Sequence, residues 1–253
     1  MKVTILGCGS SNGVPLIGGN WGACDPANPR NRRTRVSILV EQGDTTLIVD
    51  TSPDMRQQML ACALKKLDAV LYTHAHADHC HGIDDLRSVN WMQQRPVDIY
   101  ADPVTLATLT KNFSYIFHGV GEGEYYKPSV IAHEITGTFQ VGAIGITPFV
   151  QDHGYSKTLG YRFGDVAYST DVHSLDDAAF DALHGIKTWI VDCVRETPHP
   201  THSHLAQTLE WIARVKPEHA FLTHMNHLMD YDTLVQKLPA GVLPAYDGLV
   251  LEC

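Results

Sequence analysis

The densest chemistry in the chain lies where the apolar run AVLY passes into THAHADHCHG, so that His74, His76, Asp78 and His79 fall within six positions. Imidazole and carboxylate side chains are ligands for divalent cations. A strand that runs straight into a tight loop lets His74 and His76 point to one side while Asp78 and His79 turn toward an adjacent point. That arrangement suits two metal ions a few ångströms apart. The bland alternative, a polar loop whose histidines face solvent, does not account for the density. Two metals need more donors than one loop supplies, because each takes about four and leaves a position for water. Three further candidates each follow an apolar run: His153 in TPFVQDHG, Asp171 in VAYSTDVH and His224 in AFLTHMNH.

With this ordered set the sequence resembles the metallo-β-lactamase superfamily, whose H-x-H-x-D-H motif is followed by a lone His, a bridging Asp and a final His. The resemblance runs nearly the whole length of the chain. It implies a four-layer αββα sandwich, two mixed β-sheets flanked by helices, in one domain spanning residues 1–253. It also implies two divalent metal ions, Zn2+ or Mn2+. His74, His76 and His153 would hold one of them. Asp78, His79 and His224 would hold the other, with Asp171 and a hydroxide between the pair. A carboxylate at position 171 is typical of the binuclear hydrolases, where classical β-lactamases tend to carry Cys. Asp50, in LIVDTSPDMR, matches the superfamily's second motif and would orient the ligand loop from behind it. A helix N-cap at Thr51 or Ser52 before Pro53 is compatible with the same residues.

The run PHPTHSHLAQTLEWI places a His-Ser-His at the start of an expected helix, between the bridging Asp and the last ligand. Here the resemblance narrows to the phosphodiesterase branch: the phosphoribosyl cyclic-phosphate phosphodiesterases of phosphonate degradation and, more distantly, tRNase Z. In that branch a non-ligand His protonates the leaving alkoxide. The motif puts it at His202, with His204 as the close second, and Asp78 is grouped with them as catalytic. An exposed helix-start histidine without function is the other reading of either residue. An alkoxide leaves poorly unless protonated, so a general acid fits phosphodiester cleavage better than amide opening. Arg32, Arg33 and Arg35 could hold phosphate oxygens through forked hydrogen bonds, and a solvated charged face is their alternative. His227 is assigned to the substrate side. The family's cluster of cysteines for a structural zinc is reduced here to Cys24 in WGACDPANP, and Cys24 with His227 is too little to hold a third ion.

These side chains must be carried by the right elements. Short β-branched runs bounded by Gly, Asp, Pro or Thr read as strands: VTIL, VSILV, TLIVD, AVLYTH, VDIYA, IGITPF, TLGYRF, VAYST, TWIVD, AFLTH and LVLE. Helical spacing marks Pro53 to Leu64, Pro103 to Lys111, Leu175 to Leu183, Ser203 to Arg214 and Tyr231 to Leu238. Strands come in runs with helices interspersed, which favours mixed sheets over a strict βαβ alternation. Two halves of similar make-up remain open. The aromatic stretch Asn112 to Ser129 either stacks on a base or ribose at the cleft mouth or packs down as a cap or dimer contact.

Composition bounds the rest. The chain has 253 residues, 44% hydrophobic and 19% charged, which suits one large α/β domain. A formal net charge of −9 argues against broad binding to nucleic acid or an anionic membrane, while a metal cluster can still attract an anionic substrate. Six scattered cysteines without a C-x-x-C pair read as reduced thiols of a cytoplasmic protein. No apolar stretch approaches the roughly 20 residues of a membrane span. The leading expectation is a metal-dependent hydrolase of a small cyclic or nucleotide-like phosphate ester, without a stable nucleic-acid complex and compatible with a homodimer. Its rivals are a tRNA 3′-end endonuclease, a thioester or lactone hydrolase, and a metal-binding carrier or sensor without turnover.

Overall fold

The computed structural model describes residues 1–118 and 127–253. In chain order the first half contains β1 (Lys2–Gly7), β2 (Ser37–Gln42), β3 (Thr45–Val49), α1 (Met55–Ala61), β4 (Ala69–Leu71), α2 (Ala77–Cys80) and α3 (Leu86–Gln93). Then come β5 (Val97–Ala101), α4 (Pro103–Asn112), α5 (Ser114–His118) and β6 (Val130–Glu134). The second half contains β7 (Phe139–Val141), β8 (Ile144–Asp152), β9 (Lys157–Phe163), β10 (Val166–Ser169), α6 (Asp177–Leu183) and β11 (Thr188–Asp192). It closes with α7 (Leu205–Val215), β12 (His219–Thr223), α8 (Tyr231–Lys237), β13 (Val242–Pro244) and β14 (Val250–Glu252).

The strands form two seven-stranded sheets, β14-β1-β2-β3-β4-β5-β6 and β13-β12-β11-β10-β9-β8-β7. Each is antiparallel at one end and parallel at the other: β3, β4, β5 and β6 run together in the first sheet, as do β10, β11, β12 and β13 in the second. The two halves are therefore of similar make-up.

Period-2 alternation explains why both faces of the first sheet are covered. Val3, Ile5, Ile38, Val40, Leu47 and Val49 point into the core shared with the second sheet. Their neighbours Leu6, Leu39 and Ile48 point the other way, into a cluster closed by Met55, Leu86, Val89, Leu109 and Ile116 from α1, α3, α4 and α5. On the far side Leu183, Ile212 and Leu234 bring α6, α7 and α8 onto the second sheet. The result is the four-layer αββα sandwich. Each fully buried Ile or Leu contributes about 1.5–3 kcal/mol to holding the layers together.

Every strand and helix read from the sequence is present, with helix bounds shifted by a few residues. Three strands and three helices go beyond that reading: β6, β7, β13, α2, α3 and α5. β6, β7 and β13 are edge strands, and β7, β13 and α2 are only three or four residues long. In the aromatic stretch, Phe113 and Phe117 pack against the outer cluster, and the Tyr115 hydroxyl donates to Asp84. Tyr125 and Tyr126 lie outside the described residues.

Candidate metal centre

The parallel strands, with β8 running in their direction, deliver the chemistry to one rim. Asp50 follows β3, His74 to His79 follow β4, and His153 follows β8. Asp171 follows β10, Asp192 closes β11, and His224 follows β12. Ligands gather at the carboxyl ends of parallel strands because the chain turns there and side chains can converge from several strands. Three of these residues are held in left-handed backbone: Asp50 (φ 64°), Asp171 (φ 52°) and His224 (φ 56°). A non-glycine residue adopts that region at a cost, and such residues cluster at functional sites.

Asp171 organises the centre. One carboxylate oxygen, Oδ2, lies 3.7 Å from His74 Nε2 and 3.6 Å from His153 Nε2. The other, Oδ1, lies 3.0 Å from His79 Nε2 and 3.4 Å from His224 Nε2. Asp78 Oδ2 completes the second group, 3.4 Å from His79 Nε2 and 3.5 Å from His224 Nε2. His76, the exposed member, joins His74, His153 and Asp171 in the first. Ligands on a common tetrahedral cation, at bonds of about 2.0–2.2 Å, sit about 3.3 Å from one another, close to these separations.

The donor chemistry fits cations independently of the spacing. His74 Nε2, His79 Nε2, His224 Nε2 and Asp78 Oδ2 are buried and have no hydrogen-bond partner, a state that native interiors rarely tolerate without an ion or water. The opposite ring nitrogens of His74, His79 and His153 are occupied, while His224 Nδ1 has no hydrogen-bond partner. His79 Nδ1 donates to Asp50 Oδ2 at 2.7 Å, His153 Nδ1 to the Thr201 carbonyl at 2.6 Å, and His74 Nδ1 lies 3.0 Å from Thr73 Oγ1. Hydrogen bonding of one nitrogen turns the other toward the ligand position. Asp50 also accepts from Thr73 N–H and Thr73 Oγ1, both at 2.8 Å, which ties the strand end to the loop carrying His74. Gly82 closes that loop onto the Asp50 segment, since a Cβ there would overlap the Ser52 carbonyl oxygen.

Titration follows the same geometry. Burial pushes His74 well below its ordinary range, with His79 adding to the effect. Burial would raise Asp78 and Asp171, but the surrounding imidazoles outweigh it, His79 foremost at Asp78 and His224 at Asp171, and both carboxylates stay ionised. Burial works against a proton on His202, but the Asp192 carboxylate and its hydrogen bond win and raise it to about 9.

His202 is drawn into the rim while His204 is not. His202 Nδ1 meets Asp192 Oδ2 at 3.1 Å, and its Nε2 points to Asp171 Oδ2 at 3.8 Å. Its ring stacks on His224, centroids 4.6 Å apart. His204 instead occupies the N-cap of α7, paired through its backbone with Arg195, and belongs to none of the three metal-capable clusters among the described residues.

The arginines divide. Arg33 is buried and engaged within the protein: its guanidinium donates to the carbonyls of Met229 (2.6 Å) and Asn226 (3.2 Å) in the loop after His224, which satisfies those acceptors. Arg35 is likewise engaged, paired with Asp54 at 2.9 Å just ahead of α1. Arg32 is exposed and lies over the Trp21 ring. His227 packs against Gly22, and its carbonyl accepts from Ala23 N–H. Asp192 escaped the sequence reading, although TWIVD ends an apolar strand in Asp as TLIVD does at Asp50.

A family model described as the β-lactamase superfamily domain matches residues 45–225. The chain belongs to the metallo-β-lactamase superfamily. Within that superfamily it is similar to the crystal structure of a diphosphatase from the PhnP family, with a TM-score of 0.92, 35% identity, and coverage of 100% of this chain and 97% of that one. An octanoyltransferase of Porphyromonas gingivalis is 30% identical over 255 residues, covering 98% of this chain and 51% of that protein. A ribonuclease Z of a Mycobacterium species is 29% identical over 177 residues, covering 64% and 56%. The chain thus spans about half the length of the curated relatives it matches. Its His/Asp clusters give this member of the metallo-β-lactamase superfamily donor sets suited to divalent metal ions. Among the described residues no helix is long and apolar enough to cross a membrane.

Proposed function

We propose that this protein is a binuclear metal-dependent phosphodiesterase acting on a small cyclic or nucleotide-like phosphate ester, such as a phosphoribosyl cyclic phosphate. The observation that carries the reading is His202, held by Asp192 with its free Nε2 aimed at the carboxylate that joins the two ligand groups. Divalent cations held by His74, His76, His153 and Asp171, and by Asp78, His79, Asp171 and His224, would supply an activated water at neutral pH and offset charge on the phosphoryl oxygens. The protein's own part is to position and to move one proton. Asp50 and Thr201 fix the imidazoles that accept the cations, and burial keeps Nε2 of His74 unprotonated as a donor. His202 carries the proton that an alkoxide needs in order to leave, and Asp192 keeps that proton on the Nε2 side. Arg32, exposed near Trp21, is the arginine left free to meet a phosphate.

Cleavage of a diphosphate linkage is the second reading, favoured by the likeness to the PhnP-family diphosphatase. A phosphate leaves more readily than an alkoxide, so the two readings separate on dependence on His202. Cyclic ribose phosphates, cyclic nucleotides and nucleoside diphosphate esters would be compared in the Zn2+- and Mn2+-loaded protein, wild type against His202→Ala. Loss confined to alkoxide-leaving substrates supports the phosphodiesterase; full retention on all of them overturns the general acid. The P. gingivalis relative joins a domain like this one to as much chain again under an octanoyltransferase name. We infer from it that this hydrolase works beside an octanoyl-transfer reaction.

A further inference from the structure

A groove lies away from the metal-capable clusters, on the face of the first sheet turned from the second. It encloses about 660 Å³. Its floor is the outward stripe of β1, β2 and β3, with Thr4, Leu39 and Thr46, and its walls are α1 with the segment after it and β14 with Val250. The inward neighbours Val3 and Ile38 belong to the core between the sheets, and none of the metal-capable residues lines the groove. Leu39 is buried at its base, while Val250 on the rim is 49% exposed and Lys65 is exposed. A floor that mixes Leu6 and Leu39 with Thr4 and Thr46, inside a charged rim of the Lys2–Glu41 pair, Lys65 and Lys66, has the mixed polarity of a non-obligate protein interface.

Both chain ends meet beside it. The Met1 amine donates to the Cys253 carbonyl at 2.6 Å, and the Cys253 N–H to the Met1 carbonyl at 2.8 Å. Both flank Lys2, which lines the groove. The P. gingivalis octanoyltransferase matches 98% of this chain with 51% of its own length. In a protein of that layout the unmatched half departs from the domain at this spot, whichever end carries it.

We propose that the groove over β14, β1 and β2 docks an octanoyl-transferring protein, leaving the metal centre open on the other side. The proposal rests on the inference that hydrolysis and octanoyl transfer work together, and binding tests it without any turnover. The probe is an octanoyltransferase purified as a polypeptide of its own and titrated by calorimetry against the metal-loaded chain. Saturable one-to-one binding is expected, weakened roughly tenfold or more in Val250→Arg and in Lys65→Glu, with phosphodiester hydrolysis by both variants unchanged. Binding that ignores both substitutions overturns the groove while leaving the partnership standing. No binding by the folded wild type overturns the partnership and the groove together, and leaves the hydrolase reading to its own assay.

Discussion

Asp192 and His202 face one another across the junction of β11 and the loop that leads into α7, with Oδ2 3.1 Å from Nδ1. The same Asp192 oxygen accepts from the Val172 N–H at 3.0 Å, directly after Asp171. One carboxylate therefore orients the proton-bearing imidazole and anchors the turn that presents the shared carboxylate. Removal of its charge by Asp192→Asn is expected to lower turnover of alkoxide-leaving substrates by about 10²-fold, within the usual range for general-acid catalysis. Metal content should stay unchanged. The proposed general acid must be protonated, so on that reading activity falls as pH rises through the His202 pKa. That value is about 9 in the metal-free chain and lower beside two cations. Asp192→Asn should move the alkaline limb lower still; a pH–rate profile with the limb unmoved rejects the pairing.

The metal-free protein offers a separate reading of the same proton. His202 binds its proton more tightly folded than unfolded, where a value near 6.5 applies. The linked stabilisation is therefore fully present below about pH 6.5 and is lost as pH rises toward 9, on the order of 3 kcal/mol in all. Chelated wild type should lose thermal stability over that window. His202→Ala should show a flatter dependence, and equal slopes for the two would rule the linkage out.

Asp171 places one oxygen in each ligand group, so Asp171→Ala should cost both metals affinity. His153→Ala and His224→Ala should each spare one metal in preference to the other. Metal stoichiometry by mass spectrometry after dialysis checks this, and two tightly held ions in Asp171→Ala would contradict it.

Asp50 is buried and accepts three hydrogen bonds, two from Thr73 and one from His79. Asp50→Ala leaves those donors without a partner and frees the His79 ring. Metal affinity should fall about 10- to 100-fold and stability by about 3–5 kcal/mol. Competition with a chelating dye and a denaturant titration measure the two losses.

The two neighbouring arginines should behave oppositely. Arg33→Met strips the Met229 and Asn226 carbonyls of a buried charged donor, and is expected to cost about 2–4 kcal/mol of stability. Arg32→Ala, on an exposed side chain, should leave the melting temperature within a degree or two, as surface changes of about 0.5 kcal/mol or less do, and raise KM. A change in KM with Arg33→Met in the folded protein, and none with Arg32→Ala, would reverse the assignment.

The sequence by itself determined which residues could gather at the rim. His74, His76, Asp78, His79, His153, Asp171 and His224 each follow an apolar β-branched run, and a strand end in a parallel sheet can only open onto that edge. Local patterning likewise determined eleven strands and five helices, because alternation and helical spacing are properties of neighbours in the chain, while the four-layer sandwich followed from the resemblance carried by the ordered ligand set. Only the tertiary structure decided what those residues face. His202 and His204 are two positions apart in one run, yet one meets Asp192 and the other caps α7. Arg32 and Arg33 are adjacent, yet one meets solvent and the other the loop after His224. Asp192 becomes a partner only once β11 lies between β10 and β12. Partner choice is made through space by elements distant in sequence, and no local period encodes it.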